Sequence, residues 1–389
     1  MKKICFLTDS IFSIGGVQRV SAVIAKELAK DHDVTFVTLD KPSTQDTTLY
    51  DLETTDIHYR FFSYPTIGRM KRLMCKAYSG FYRKMQPQGR YASELYAHSS
   101  FPSELRKALV QELSQGHYDV IIGVHAPLAA RLATLKPYLH GTCCIGWIHN
   151  SFEALFNPES RYIGPDLKRH YVYQFRKLND TILLCHHDAD SYKAYDPQLS
   201  PTVIYNPLTL TPGKPSSGTS KHFLAVGRFS RLHKGFDLLI DAFQLFAKEN
   251  SEWKLDIVGE GPEKELYQRK IAEYKLEDRI LLHPFTTDIQ SYYSQAQVYV
   301  LSSRWEGFGL VLVEAMAHGL PIVSSNIPTS KEILGDFALY FQNGDIKQLA
   351  VRLQEATRLD WEKKSVEAFV IAQRFNISRI AEQWRNILK

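Results

Sequence analysis

The feature that most constrains the fold is an alternation of short apolar runs and amphipathic segments, which occurs twice along the chain. The first series opens with KKICFLT, continues through GGVQRVSAVIAKELAK with apolar residues at helical spacing, and then enters DVTFVTL. Runs such as DVIIGV and QVYVLS have no polar face, which is typical of parallel strands covered by helices on both sides. The sequence therefore predicts an α/β protein with two doubly wound, Rossmann-like domains.

A segment rich in proline, glycine, serine and threonine separates the two series. Residues 207–221, PLTLTPGKPSSGTSK, have the composition of a linker. We expect an N-terminal domain over 1–206, completed by a C-terminal helix at about 372–389, and a C-terminal domain over 222–371. A ligand would then bind at the C-terminal edges of the strands, in a cleft where the domains face each other.

Composition indicates a soluble globular protein of a reducing compartment. The 389 residues are 44% apolar and 23% charged, and the sequence shows neither a signal-peptide pattern nor an apolar run long enough to span a membrane. The five cysteines form no CxxC pair, and their odd number argues against a disulfide framework. We therefore expect a cytoplasmic location.

The positive charge is concentrated in one stretch of the sequence. No acidic residue occurs between Asp56 and Glu94, whereas eight basic residues alternate there with aromatic and apolar ones. Such a segment is typical of helices that lie on anionic membranes, although a solvated face over core aromatics is the alternative. The sequence predicts a peripheral association with anionic lipid, or with a lipid-linked acceptor. The basic residues assigned to this surface are Arg69, Lys71, Arg72, Lys76, Arg83 and Lys84.

Two loops of the second series carry charges at predicted strand ends. In VGRFSRLHKGFD, Arg228 and Lys234 follow a strand, where two cations would suit a diphosphate unless both are merely solvated. In RWEGFGLVLVEAMAHG, Glu306 lies in a loop, and Glu314 lies about one turn into the helix that follows. A carboxylate pair also occurs in glycoside hydrolases, but a loop and its following helix do not obviously place two acids across one bond.

Two features of the first series lie at predicted strand ends as well. Gly15 and Gly16, in SIGGVQR, would let backbone N–H groups approach a phosphate, although a tight turn without a ligand is the alternative and the GxGxxG fingerprint is missing. His149 follows a strand in GWIHNSFE, where a structural histidine is the alternative. The polar cluster at 186–190 places neighbours on different helix faces, which argues against a metal site.

Together these motifs resemble family 4 of the retaining glycosyltransferases, which have the GT-B fold. The resemblance covers essentially the whole chain and is most specific over 222–345. One departure is Gln18, where the family often has glutamate. The motifs that carry the resemblance are the E-x7-E signature in EGFGLVLVEAMAHGLPIV, the Arg and Lys phosphate motif in GRFSRLHKG, the glycine loop GGVQR, and the segments VGEGP and IYNPL.

The resemblance implies a role for each matching residue. Arg228 and Lys234 would bind the nucleotide diphosphate, Glu306 the donor sugar and Glu314 the ribose, while His149 would lie near the reacting carbon. The remaining residues implied in donor binding are Gly15, Gly16, Gly227, Glu260, Phe285, Gly307, Phe308, Gly309 and Leu310. The family needs no metal, and no cofactor besides the nucleotide-sugar substrate is expected.

The function that the resemblance implies is transfer of a hexose, with retention of configuration, from a nucleotide sugar to a saccharide. UDP is the expected nucleotide, a lipid-linked saccharide the expected acceptor, and the inner face of the cell membrane the expected place. The product would be a capsule, exopolysaccharide, lipopolysaccharide or wall glycan. The alternatives are a soluble small-molecule glycoside synthase, a sugar-nucleotide epimerase, and an inactive subunit that binds a nucleotide sugar.

Overall fold

The computed structural model describes residues 1–87, 89–160 and 162–389, which divide into two compact units. The first unit comprises Met1–Asn206 with Ile377–Lys389, and the second comprises Pro207–Asn376. Each unit has a parallel sheet with helices packed on it. The predicted class, two doubly wound α/β domains, is confirmed.

The sheet of the first unit is parallel throughout and has the strand order β3-β2-β1-β4-β5-β6-β7. Its central strands are buried along nearly their whole length, as their apolar sequences require. The strands are β1 (Lys3–Thr8), β2 (Asp33–Thr38), β3 (His58–Phe61), β4 (Val120–Val124), β5 (Cys143–Trp147), β6 (Asp180–Leu183) and β7 (Thr202–Val203).

The helices between these strands cover the sheet and build the aromatic-rich core of the first unit. They are α1 (Gly16–Ala29), α2 (Arg69–Met85), α3 (Arg90–Ser100), α4 (Ser103–Gln115), α5 (Ala126–Leu135), α6 (Phe152–Phe156), α7 (Lys168–Arg176) and α8 (His186–Tyr195). Short 3₁₀ segments occur at Pro42–Thr44, Leu49–Thr54, Lys136–Tyr138, Pro158–Ser160 and Pro165–Leu167.

The second unit repeats the architecture with the strand order β10-β9-β8-β11-β12-β13. Its strands are β8 (His222–Val226), β9 (Lys254–Val258), β10 (Ile280–His283), β11 (Val298–Leu301), β12 (Ile322–Ser325) and β13 (Leu339–Phe341). Its helices are α9 (Arg231–Lys234), α10 (Phe236–Ala247), α11 (Lys264–Glu273), α12 (Ile289–Gln295), α13 (Leu310–Ala317), α14 (Pro328–Leu334), α15 (Ile346–Ala356) and α16 (Trp361–Ala372), followed by a 3₁₀ turn at Gln373–Phe375.

The last helix, α17 (Ile377–Ile387), returns to the first unit. Its Trp384 is fully buried, and its ring lies 4.7 Å from that of Trp147 on β5. On the outer side, Arg385 Nε donates to Asp31 Oδ2 at 2.7 Å, just beyond the end of α1. A large aromatic contact and an ion pair therefore anchor the end of the chain on the first sheet.

Two features differ from the sequence expectations. Residues 207–221, expected as a linker, group with the second unit because their backbone bonds to it, for example Leu208 N to Phe375 O at 2.8 Å. The edge strand β3 lies inside the basic stretch, where partial burial and charged neighbours hide its pattern. Within the described residues, no helix is long and apolar enough to cross a membrane.

Candidate functional site

The candidate site of the second unit lies at the C-terminal edge of its sheet, where the strand order reverses. β8 and β11 are neighbours there, although β9 and β10 separate them along the chain. In doubly wound sheets, ligands bind beyond such a switch point, between the two loops that leave it. Those loops are 227–235, with Arg228 and Lys234, and 302–309, with Glu306. The structure thus brings three of the predicted residues to one sheet edge.

Close backbone packing supports the loop 227–235. Phe229 N–H donates to Glu260 O at 2.7 Å, which joins this loop to the one that follows β9. A Cβ on Gly259 would overlap the carbonyl of Gly227, so the approach of the two loops requires glycine. The glycines in VGEGP therefore shape the loop that carries the cations.

Arg228 is exposed at this edge. Its guanidinium forms no hydrogen bond or ion pair with any residue in the described part of the chain. A guanidinium presents its donors in a planar fork that matches two phosphate oxygens. Arg228 is therefore available to an anionic ligand without first breaking an internal contact.

Lys234 and Glu306 form an ion pair that links the two loops. Lys234 Nζ lies 2.6 Å from Glu306 Oε1, and the same oxygen accepts from Ser303 Oγ at 2.6 Å. The two charged side chains are only 20% and 11% exposed. The second carboxylate oxygen, Oε2, has no hydrogen-bond partner among residues 1–87, 89–160 and 162–389, so it is open to a ligand hydroxyl.

A second ion pair, which the sequence analysis did not single out, joins the loop 302–309 to the start of α10, directly after the loop 227–235. Arg304 donates from both terminal nitrogens to the two carboxylate oxygens of Asp237, at 3.1 Å each. Its backbone N–H also donates to His233 O at 2.7 Å. The spacing gave little signal, because Arg304 and Asp237 are 67 residues apart. The bidentate pair and the backbone bond together hold the loop 302–309 against the segment that carries Lys234.

The loop 302–309 ends at the N-terminus of α13. Gly309 has φ of +84° and precedes Leu310, the first helical residue, and no side chain caps the helix there. Phe308 is buried, with its ring 5.7 Å from Phe375, while Gly307 is partly exposed. The backbone N–H groups of the first turn thus lie at the same sheet edge as the ion pair, where a helix N-terminus favours an anion.

Glu314 lies one turn inside α13 and is more enclosed than its predicted role suggests. The residue is only 2% exposed, and its Oε2 accepts from Tyr293 OH at 2.8 Å. The ring of Tyr293 stacks on that of His318 at 5.0 Å, which braces the carboxylate from α12. The predicted contact of Glu314 with a ribose stays a prediction.

Two other predicted donor-binding residues occupy the outer part of this sheet edge. The carboxylate of Glu260 lies 3.5 Å from Lys264 Nζ, one turn along the chain, and both side chains are well exposed. Phe285 follows β10 and is 46% exposed. Both side chains are accessible to solvent at this edge, and their roles in donor binding remain predictions.

In the first unit, Gly15 and Gly16 lie at the start of α1, as the sequence predicts for a strand–helix turn. Gly15 N–H donates to Tyr50 OH at 2.9 Å, and Tyr50 OH in turn donates to Ser13 O at 2.8 Å. Tyr50 itself has φ of +61°, a left-handed conformation that non-glycine residues rarely adopt. The N–H of Gly15 is thus already bonded, whereas that of Gly16 has no partner in the described part of the chain.

His149 is buried just beyond the C-terminal end of β5. Its ring lies 4.4 Å from Trp147 and 5.4 Å from His125, a residue that sequence reasoning missed. Burial lowers the pKa of His149 well below its usual range, and His125 lowers it further. No hydrogen bond to Nε2 of His149 is found in the described residues, so a neutral imidazole with one open nitrogen occupies this edge. His125 has a left-handed φ of +72°, which could not be predicted from the sequence.

The polar cluster at 186–190 supports the loop after His149. Asp188 Oδ1 accepts from Phe152 N at 2.9 Å, and Oδ2 accepts from Cys185 Sγ at 3.1 Å. Burial raises the pKa of Asp188 to about 6. Among the described residues, no group of three or more His, Cys, Asp and Glu side chains could hold a metal ion.

Replacing Asp188 with asparagine should remove a pH dependence of stability. The folded state holds the Asp188 proton more tightly than the unfolded state, so its contribution to stability falls as pH rises from about 4 through about 6. The shift corresponds to about 3 kcal/mol. In urea titrations, the free energy of unfolding of Asp188→Asn relative to wild type should therefore rise by up to that amount between pH 4 and pH 7. A difference that does not change with pH, or that matches the exposed control Asp190→Asn, would contradict the assignment.

The six basic residues predicted for the membrane or acceptor surface all lie on α2. Two of them are paired: Lys71 with Glu104, and Arg83 with Asp166. The others, Arg69, Arg72, Lys76 and Lys84, are exposed and form no ion pair with a described residue. One side of α2 is anchored by the buried Tyr82, whose ring lies 4.5 Å from Tyr96.

Family models match the chain over almost its whole length. The model described as Glycosyltransferase Family 4 matches residues 14–211, which is half of the chain. The model described as Glycosyl transferases group 1 matches residues 211–372. The junction of the two matches lies close to the boundary between the two units at residues 206 and 207.

Two curated relatives match over nearly their full length. An uncharacterized glycosyltransferase of Haemophilus influenzae is 27% identical, with all of both chains covered. The amylovoran biosynthesis glycosyltransferase AmsD of Erwinia amylovora is 24% identical, with 89% of this chain and 88% of the relative covered. Among solved structures, Anabaena HepE in complex with UDP and glucose aligns with a TM-score of 0.75 at 20% identity, covering 100% of this chain and 99% of HepE, which shows the same fold.

Proposed function

The chain belongs to family 4 of the glycosyltransferases, and we propose that it transfers a hexose from a UDP-sugar to a saccharide, with retention of configuration. Its two units with parallel sheets give it the GT-B fold of that family. The observation that carries the proposal is the Lys234–Glu306 ion pair at the switch point, beside the exposed Arg228. Two cations and one carboxylate at a single sheet edge suit a ligand with a diphosphate and a sugar.

In the proposed reaction, the bond between the anomeric carbon and the diphosphate oxygen breaks. The acceptor hydroxyl oxygen forms a bond to the same carbon from the same face, and its proton passes to the departing phosphate oxygen. Arg228, Lys234 and the N-terminus of α13 stabilise the charge that develops on the diphosphate, which is typically the largest electrostatic contribution. Glu306 orients Lys234 and accepts a hydrogen bond from a sugar hydroxyl through its open oxygen. No metal or other cofactor is needed for these steps.

The donor and the pathway rest on the proteins that resemble this chain. The HepE structure contains UDP and glucose, which supports a UDP-hexose as the donor. The name of AmsD, an amylovoran biosynthesis glycosyltransferase, supports a role in polysaccharide synthesis and so a saccharide acceptor. A lipid-linked form of that acceptor remains a prediction. The roles that the resemblance gives to Gly16 and His149 remain predictions.

The exposed face of α2 supports docking on an anionic membrane, where a lipid-linked acceptor would lie. Met70, Leu73, Met74 and Phe81 are between 53% and 72% exposed. They share one face because their positions follow helical spacing. Apolar side chains exposed beside unpaired cations are typical of helices that insert shallowly at a lipid interface.

Reversing two charges on α2 should weaken this binding. Each basic residue near an anionic surface contributes about 1 kcal/mol, so Arg72→Glu with Lys76→Glu should reduce vesicle binding about thirtyfold or more at low salt. Flotation with phosphatidylserine-containing vesicles measures the effect. The matched control reverses two exposed lysines of the second unit, Lys347 and Lys363, and should bind like wild type. Wild-type protein that does not float with anionic vesicles would exclude the membrane proposal.

The proposed function is tested by incubating the full chain with UDP-glucose, UDP-galactose and UDP-N-acetylglucosamine. We expect one of these donors to be hydrolysed slowly without an acceptor and consumed faster with an oligosaccharide acceptor. Proton NMR of the sugar first released should show the anomeric configuration of the donor. Release of the inverted anomer would exclude retention, and failure to consume any nucleotide sugar, with GDP- and ADP-sugars included, would exclude the transferase reaction.

A further inference from the structure

A cavity of about 100 Å³ in the first unit lies between α3, α5 and α7. α5 begins directly after His125, at the C-terminal end of β4, so its first turn lies at the same sheet edge as the candidate residues of this unit. Pro127, in that first turn, lines the cavity, and so does Arg131. Arg131 is six residues beyond His125, or about 9 Å along the helix axis. The cavity wall therefore continues along α5, from its first turn at the sheet edge to Arg131.

Arg131 gives the cavity a positive charge that is not neutralised locally. Its guanidinium lies over the rings of Tyr64 and Phe101, 5.6 and 5.5 Å from their centroids, and Nη1 donates to Tyr64 OH at 3.3 Å. It forms no ion pair with any carboxylate in the described part of the chain. Cation–π contacts hold the guanidinium in place but leave donors for an anion.

Two acidic groups close to the cavity wall already have cation partners. Glu94 is close enough to the cavity residue His170 for its charge to affect the pKa of the ring, and it pairs with Lys177 at 2.8 Å. Asp166 is close enough to the cavity residue Tyr96 for its charge to affect the pKa of the hydroxyl, and it pairs with Arg83. Glu94 and Asp166 are therefore neutralised by their own partners, and Arg131 is the cation that lines the cavity. The carboxylate of Asp9 acts electrostatically on Tyr64, beside Arg131, but forms no ion pair with Arg131 within the described residues.

His170 provides a polar group in the wall. It is only 4% exposed, and its Nδ1 lies 2.9 Å from Ser93 Oγ. Its Nε2 has no partner among the residues that the structure describes. Burial lowers the pKa of His170 to about 4, so the ring is neutral at neutral pH and can bond a hydroxyl. The ring of Tyr96 lies 4.6 Å away, edge to face, and adds an apolar surface.

We propose that this cavity binds an anionic sugar unit of the acceptor. Arg131 binds its carboxylate or phosphate, the open nitrogen of His170 bonds a hydroxyl, and the rings of Tyr96 and Phe101 cover the apolar face of the sugar. The identification of this ligand as acceptor rests on the proposed function. The binding of a sugar anion does not depend on it, because the cavity contains only residues of the first unit.

The experiment is a set of titrations of the full chain, with and without saturating UDP, in which ligand-observed NMR detects binding. The probes are glucuronate, glucose 6-phosphate, glucose and inorganic phosphate. At least one sugar anion should bind saturably in the presence of UDP, and tenfold or more tightly than glucose and phosphate, because only a sugar anion uses both the cation and the aromatic walls. Preference for glucuronate would indicate a uronic acid unit, and preference for glucose 6-phosphate a phosphorylated one. Equal binding of glucose, equal binding of phosphate alone, or no saturable binding of either sugar anion would overturn the proposal.

Substitutions in the cavity wall test whether the sugar anion binds in this cavity. Arg131→Gln should weaken binding of the sugar anion about tenfold or more, whereas Arg131→Lys should keep most of it. The matched control is Arg90→Gln, because Arg90 also lies over a tyrosine ring, 4.9 Å from the centroid, but does not line the cavity. Ala130→Val adds two methyl groups to a residue that lines the cavity, so it narrows the cavity without changing its charge and should also weaken binding. Wild-type affinity in both Arg131→Gln and Ala130→Val, with unchanged unfolding midpoints, would overturn the proposal.

The two proposals fail in different ways. If UDP does not bind in the titrations without sugar, the proposed donor is wrong. Binding of a sugar anion that depends on Arg131 would then still establish the cavity as a site. If UDP binds but no sugar anion does, the cavity proposal is wrong and the proposed donor stands.

Discussion

Replacing Arg228 with alanine should lower the turnover of a UDP-hexose about 10²–10³-fold, and replacing Lys234 should do the same. Removing one preorganised donor to a developing oxyanion typically has this effect. The guanidinium of Arg228 has no partner in the described part of the chain, so its loss should not disturb the fold and should act on the reaction alone. Release of UDP, measured under saturating donor, separates turnover from binding.

Arg231→Ala is the matched control for this prediction. Arg231 is an exposed arginine at the start of α9, in the same segment between β8 and α10, and it is not assigned to the diphosphate. Its replacement should change turnover less than threefold, roughly the scatter of surface substitutions. Near-normal turnover in Arg228→Ala and Lys234→Ala, with folded protein, would remove the diphosphate assignment.

Lys234 and Glu306 should behave as one functional unit in a double-mutant cycle. Lys234→Ala and Glu306→Ala should each reduce kcat/KM on the order of a hundredfold, because each leaves its partner charge partly buried without a counter-charge. The double variant should be about as active as the worse single variant, since the interaction is lost once. The coupling energy expected for such a contact is about 1–3 kcal/mol.

The pair Lys270 and Asp241 provides the control cycle. Its charged atoms lie 2.8 Å apart and its side chains are 24% and 19% exposed, close to the values for the site pair. Alanine at either position should leave kcat/KM within a few-fold of wild type. Strictly additive effects at Lys234 and Glu306 would show that the two residues act separately. That result would contradict a functional role for their ion pair.

The parts of the site that could be predicted from the sequence are those that follow strand ends. β8 and β11 are runs of buried apolar residues, so the loops that leave them, with Arg228 and Glu306, could be placed at a sheet edge. Glycine also gives a local signal, because Gly309 directly precedes α13 and has φ of +84°, a conformation that glycine adopts readily. The fold class follows from the same periodicity, repeated in two series.

What the sequence could not show depends on contacts between distant residues. The Arg304–Asp237 pair spans 67 positions, and the Gly15–Tyr50 bond spans 35. Neither has a local pattern. The edge strand β3 was missed because an edge strand is only partly buried and tolerates charge. The cavity at Arg131 was missed because α3, α5 and α7 each show an ordinary helical pattern, and only their packing leaves space between them.

Calorimetric titration of UDP-hexoses into the full chain is the measurement on which the assignment of the second unit depends. Wild-type protein should bind one UDP-hexose saturably, and the Arg228→Ala, Lys234→Ala double variant should bind it at least a hundredfold more weakly, because it lacks both cations for the diphosphate. The Arg231→Ala control should retain wild-type affinity. Equal affinity of the double variant and wild type would contradict a diphosphate site at this sheet edge, and so would the absence of binding by any nucleotide sugar.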